Sequence, residues 1–252
     1  MIYKIKWLDI GEVEIPCNRA FYLGSETKTV HANAYSFLLE GEDGTFSLID
    51  TGIRDPDEID VGPTSSTKWI VSKKQKLVTR LEQYGLKPDD ISNVLLTHLH
   101  YDHCSQIGIF RKAKIFISNR ELMSVIAPSN KKILSYTKYP RDVFAYIVDQ
   151  NWHNVRTFDD LEEVLPGIHA FVVGGHTLGS TAYLVQTSKG NTVIAGDFIS
   201  WYDNLEKEIP PGLAVSIEDW FVGLRRITNL NAIIVPSHDP KIMTRFPSGV
   251  IP

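Results

Sequence analysis

Apolar residues along this chain fall into short runs broken by glycine, proline and charged residues. Runs at 2–8, 34–40, 45–50, 93–97, 113–117, 168–174, 181–187, 192–197 and 232–236 are the length of strands and rich in Ile, Val, Leu and Phe. The N-terminal stretch MIYKIKWLDIGEVEI alternates apolar and polar residues, which also reads as a strand. Helical spacing predicts helices at 71–84, 118–126 and 216–228. In the first, Val71, Leu77, Val78 and Leu81 share a face, Lys73, Lys74, Lys76 and Arg80 lie largely opposite, and Gly85 ends it. Both halves mix strands and helices, which suits an internally duplicated α/β sandwich, although no sequence repeat is visible.

The segment 127–155 breaks this rhythm. It is longer than an ordinary connection and carries Tyr136, Tyr139, Phe144, Tyr146 and Trp152, with RDVFAYIVDQ (141–150) as a short helix inside it. It reads either as a lid or wall of an apolar substrate pocket, or as an aromatic patch packed on the body or on a second subunit. The patch is preferred, because aromatic enrichment fits a protein interface as well as a pocket.

Composition narrows the class. With 252 residues and 43% apolar content the chain can bury a substantial core, and no composition break marks a linker, so 1–252 is read as one domain. No run of about 18 apolar residues suggests a membrane span, and the N-terminus lacks the unbroken apolar core of a signal peptide. Cys17 and Cys104 are too few for a disulfide framework; the expected compartment is the cytoplasm. The balance of 26 Lys+Arg against 30 Asp+Glu, net −4, offers no electrostatic footprint for a nucleic-acid backbone.

The chemistry concentrates in THLHYDHC (97–104), where His98, His100, Asp102 and His103 follow a buried strand. Neutral imidazole and carboxylate at this density suit zinc, iron or manganese. One loop cannot complete such a site. His176 in VVGGHTLGS, Asp197 at the end of VIAGDF and His238 in AIIVPSHDP each close an apolar strand, where α/β proteins place ligands. His31, His153 and His169 lie outside this grammar and are read as non-ligands. Cys104, next to His103, is read as a small residue packed beneath the loop.

Taken together, H-x-H-x-D-H, G-G-H-T-x-G-S, G-D and the late S-H-D resemble the metallo-β-lactamase superfamily of hydrolases, as does LIDTG (48–52), in which Asp50 would support the metal loop. The resemblance implies a four-layer αββα metallo-β-lactamase sandwich with two divalent ions at one edge. One ion would be held by His98, His100 and His176, the other by Asp102, His103 and His238, with Asp197 bridging. Zinc is the expected metal, with iron, manganese or cobalt as alternatives.

Within the superfamily, β-lactamases usually carry Cys where Asp197 stands and lack a histidine after the motif aspartate. Flavodiiron-type oxidoreductases carry Glu where His100 stands. The layout is most similar to the N-acyl homoserine lactone lactonases, the quorum-quenching branch, with EKEIPPG (206–212) and SIEDWFVGLRRI (216–227) after the bridging aspartate. That implies a small lactone or ester substrate, opened by hydroxide held between the ions, with Asp102 delivering a proton to the leaving oxygen. A homodimer is left open. One departure stands out. Those lactonases place a Tyr three residues beyond the bridging aspartate, against the substrate carbonyl; here Ser200 stands there, followed by Trp201 and Tyr202. Tyr202 is the expected replacement for that hydroxyl, or else the substrate differs. The alternatives are a lactonase for another small cyclic ester and a glyoxalase-II-like thioesterase, ranked lower because few residues follow His238. From another class, a mononuclear iron oxygenase of the same fold would use mainly the first three histidines.

Overall fold

The computed structural model describes residues 1–55, 68–129 and 139–252. Strands β1 (Tyr3–Pro16), β2 (Thr29–Gly41), β3 (Phe46–Ile49), β4 (Ile91–Leu95), β5 (Lys114–Ser118) and β6 (Val155–Phe158) build one sheet. Strands β7 (Glu162–Leu165), β8 (Ile168–Val172), β9 (Thr181–Thr187), β10 (Gly190–Ile194) and β11 (Ile233–Val235) build the other, and β12 (Val250–Ile251) returns to the first. Within the first sheet β3, β4, β5 and β6 run parallel, whereas β12, β1, β2 and β3 pair antiparallel. Two segments that matter to the sequence reading, including Tyr136, fall outside the described residues.

Period-2 alternation sorts side chains between layers. Along β2, Ala32, Ala34 and Leu38 face a cluster shared with helical Leu77, Leu81 and Leu122. Tyr35, Phe37 and Leu39 point the other way, into a second cluster with Ile168, Tyr183 and Val185 of the facing sheet. Beyond that sheet, Phe171, Ala182 and Val193 pack on Trp220, Leu224 and Ile227 of the helix Ile217–Thr228. Helix, sheet, sheet, helix is the four-layer order that the motifs imply. Each fully buried Leu or Phe contributes about 1.5–3 kcal/mol, so this double covering of both sheets holds the strand ends rigidly.

Several elements depart from the pattern reading. β6 and β7 were not anticipated. Both are edge strands: β6 buries only Val155 and Phe158, and β7 opens on exposed Glu162 and Glu163. Charged edges resist further pairing and erase the alternation. β12 is two residues long and carries no periodic signal. β1 runs on past 8, as the alternation through Ile15 implies, across a register shift between Asp9 and Gly11 that absorbs one residue. The helix expected over 71–84 is shortened to Leu77–Glu82 behind a 3-10 turn. Residue Ile70 pairs with Glu12 of β1, and Gln75 Nε2 donates to Asp9 Oδ2 at 3.0 Å, which draws the first turn onto the sheet. The segment 141–150 is helical, as expected.

Candidate metal centre

All seven expected ligands meet at the C-terminal ends of strands. His98, His100, Asp102 and His103 follow β4, His176 follows β8, Asp197 follows β10 and His238 follows β11. Donor atoms of His98, His100, His176 and Asp197 lie within 4.8 Å of one another, as do those of Asp102, His103 and His238.

Asp197 divides its two oxygens between the sets. Oδ1 lies 3.0 Å from His103 Nε2 and 2.8 Å from His238 Nε2. Oδ2 lies 3.3 Å from His176 Nε2 and 3.9 Å from His98 Nε2. A carboxylate with one oxygen toward each imidazole group has the form of a bridge. Asp102 Oδ2 stands 3.7 Å from His238 Nε2, on the side of the second set. His176 Nε2 and His100 Nδ1 approach to 2.9 Å.

The imidazoles are oriented from behind. Asp50 sits at φ +58°, in the left-handed region that Asp tolerates better than most residues. Its Oδ1 accepts the Thr97 N–H at 2.8 Å and its Oδ2 accepts the Thr97 hydroxyl at 2.7 Å. The same Oδ2 is 2.8 Å from His103 Nδ1, so that nitrogen carries the proton and Nε2 faces Asp197. Thr97 Oγ1, having donated to Asp50, accepts from His98 Nδ1 at 3.0 Å. His238 Nδ1 donates to the Asn33 carbonyl at 2.7 Å. Three imidazoles therefore turn Nε2 into one space, the arrangement in which outer hydrogen bonds fix the tautomer of a ligand. His98 Nε2 and His103 Nε2 are buried without a hydrogen-bond partner. Buried imidazole nitrogens left this way fit a cation.

Charge agrees with the geometry. Burial, then neighbouring His103 and His100, push the His98 pKa well below its ordinary value, and burial likewise lowers His176. Both present the neutral form that binds metal. Burial also opposes charge on His103, but Asp197 and Asp50 outweigh it and raise its pKa well above the usual range. Asp197 stays ionised despite its burial, held by His238, His103 and His176. Positive charge among these groups is favoured, and a divalent ion supplies it.

The cluster floors a cavity of about 730 Å³ with mostly apolar walls. Val13 and Ile15 come from β1, Trp69 from the segment beside it, and Leu178, Leu213 and Val215 from the loops after β8 and β10. Trp69 and Trp201 lie 5.9 Å and 5.8 Å from the His238 ring, and Tyr139 lies 5.5 Å from that of His100.

Tyr202 is not brought to the site. It is buried in the cluster between the sheets, with its ring 3.6 Å beneath the Arg245 guanidinium and its hydroxyl without a partner. Its backbone N–H donates to Asp239, which starts the helix Tyr202–Glu206 and turns the side chain inward. Ser200 and Trp201 line the cavity instead. The expectation of a substitute hydroxyl from Tyr202 is therefore corrected by the geometry. The aromatic segment divides: Tyr139 is cavity wall, Val143 and Ile147 are core, and Trp152 is half exposed. Cys104 packs beneath the loop, its Sγ 3.3 Å from the Leu99 carbonyl, and burial pushes its thiol pKa up. His31 and His153 are exposed, and His169 sits half-buried in β8.

Sequence reasoning missed Thr97, Asn33, Ser237 and Glu121. Ser237 donates its hydroxyl to Asp197 Oδ1 at 2.6 Å. Asn33 acts through its backbone, which no side-chain pattern reveals. Glu121 stands in S-x-x-E (118–121), which ordinarily signals a capping box. Ser118 does accept the Glu121 N–H at 3.1 Å, but the Glu121 side chain turns into the protein.

Residues 31–238 match the model of the metallo-beta-lactamase superfamily. An N-acyl homoserine lactonase of Bacillus cereus is 25% identical over 183 residues, 70% of this chain and 68% of that protein. N-acyl homoserine lactonase AiiB of Agrobacterium fabrum is 27% identical over 203 residues, 74% and 73% of the two chains. Among solved structures, a variant of B. thuringiensis AiiA with N-decanoyl-L-homoserine at its active site superposes with a TM-score of 0.82 at 19% identity, covering 97% of each chain. The chain belongs to the metallo-beta-lactamase superfamily.

Proposed function

We propose that this protein is a dimetal hydrolase that opens lactones, with N-acyl homoserine lactones as the substrate class. The observation that carries the reading is Asp197, whose two oxygens face separate histidine groups at the floor of an apolar cavity. The similar lactonases and the fold support it. His98, His100, His176 and Asp197 would hold one ion, and Asp102, His103, His238 and Asp197 the other, zinc being the favoured metal. Bound there, the ions supply Lewis acidity and bring the pKa of water from 15.7 to about 7.

The chain's own residues do the rest. Asp50, Thr97 and Asn33 hold His103, His98 and His238 in the tautomers that present Nε2, so no reorientation is needed during turnover. Trp69 and Trp201 beside His238 and Tyr139 beside His100 narrow the approach to the donors. Asp102 lines the cavity beside His238, where its carboxylate can take the proton that the attacking oxygen gives up and pass it to the departing alkoxide. Apolar walls receive the acyl chain. A mononuclear oxygenase would leave Asp102, His103 and His238 without a task, so the second set favours the hydrolase.

The test is a hydrolysis screen of metal-loaded protein with a pH indicator, since ring opening releases a proton. N-acyl homoserine lactones should be turned over faster than thioesters, and a β-lactam not at all. A thioester preference would replace the lactonase reading with the thioesterase.

A further inference from the structure

Asp50, Asp239 and Glu121 are buried carboxylates outside both ligand sets. Glu121, in the helix Asn119–Ile126, is completely shielded from solvent. Four donors converge on it. Its Oε1 accepts the Leu99 N–H at 3.0 Å and the Tyr139 hydroxyl at 3.5 Å. Its Oε2 accepts the Thr177 hydroxyl at 2.7 Å and the Gly179 N–H at 3.1 Å. Leu99 lies between His98 and His100, and Thr177 follows His176. One oxygen thus grips the loop after β4, and the other grips the loop after β8.

The surrounding contacts are built for this grip. A Cβ on Gly179 would collide with the Glu121 backbone nitrogen, so a glycine is required for the loop to reach the helix. Ser118 Oγ donates to the Gly179 carbonyl at 2.9 Å, closing the same joint from the helix start. Among the contacts described, Asp102, His103 and His238 draw instead on Asp50, Asn33 and Asp197.

We infer that Glu121 is a positioning residue that sets His98, His100 and His176 at their mutual spacing by clamping their two loops together. The inference rests on the dimetal reading above. Its physical basis is the acceptor count: burial raises the Glu121 pKa, but all four converging donors favour the carboxylate, which offers only lone pairs and satisfies both sides. A glutamine keeps the shape but turns an NH2 group toward one pair of donors, so one loop is released.

The experiment titrates metal-free protein with Co2+, following ligand-field absorption and bound metal. Wild type, E121Q and T177V are compared, and each is repeated with H103A, which leaves only the first set intact. E121Q should weaken the ion at His98, His100 and His176 by about 10–100-fold and change its absorption. The other ion should keep its affinity. T177V, which removes one donor and keeps the β-branched shape, should move the same ion in the same direction by less. It carries the test if E121Q fails to fold. Wild-type affinity at both ions in the variants, with only a lower melting temperature, overturns the inference; so does equal weakening of both ions. A wild type that takes up one ion overturns the dimetal reading alone, and the clamp is then judged by whether E121Q weakens that ion.

Discussion

The donor cluster and the cavity wall above it are neighbours built on opposite rules. His98, His103, His176 and His238 are each at most 5% exposed, and three of them are held from behind by a defined hydrogen bond. Leu178, Leu213 and Val215 in the wall are 44–57% exposed and are positioned by loops. Orientation is over-determined in the cluster and loosely determined in this loop-borne part of the wall, although Val13, Trp69 and Trp201 beside it are buried. Chemistry that tolerates little misplacement sits on strand ends, while substrate choice sits where side chains can be exchanged.

This contrast can be broken most severely from below. His103→Ala should remove the second ion, measured as bound metal, and lower turnover by at least about 10²–10³, the scale seen when one charge-stabilising group is lost. His169→Ala, half-buried in β8, should do neither. Next comes Asp50→Asn, which keeps a residue able to adopt φ +58° but loses the charge that three donors share. Metal affinity or activity should fall about 10–100-fold, and a wild-type titration would show that the backing hydrogen bonds are dispensable. A smaller effect is expected from the wall. Leu213→Ala should raise KM for a long-chain lactone about fivefold, from roughly 1 kcal/mol of lost apolar burial, while bound metal and kcat stay unchanged. A fall in bound metal would mean that wall and cluster are not separable. Smallest of all, Tyr202→Phe should leave turnover unchanged and keep or slightly raise thermal stability, because it deletes a buried hydroxyl that has no partner. Lost turnover would return that hydroxyl to the reaction.

The same contrast explains what could be read from sequence. Candidate ligands are chemical types at fixed spacing after apolar strands, so the seven donors that the fold brings together could be picked out, as could Asp50 in LIDTG. Groups that work through the backbone, such as the Asn33 carbonyl, leave no such trace. Tyr202 was misplaced because adjacency in sequence does not fix direction: the helix beginning at Tyr202 turns its side chain into the core while Trp201 faces the cavity. Glu121 was hidden by a local pattern with a commoner meaning. Among strands, those with an apolar run announced themselves, edge strand β11 included, whereas β6, β7 and β12, edge strands that are charged or only two residues long, did not.

The pairing of His238 with Asn33 bears on how the site comes into being. Asn33 N–H donates to the His238 carbonyl at 3.0 Å and His238 Nδ1 returns a bond to the Asn33 carbonyl, across a separation of 205 residues. Contacts of such range carry a large loop-closure cost. During synthesis the loop after β4 emerges long before its last companion, so a nascent chain displays histidines without a finished pair of pockets. A truncation before residue 238 therefore removes one donor of the second set together with its backing pair, however well the first sheet forms.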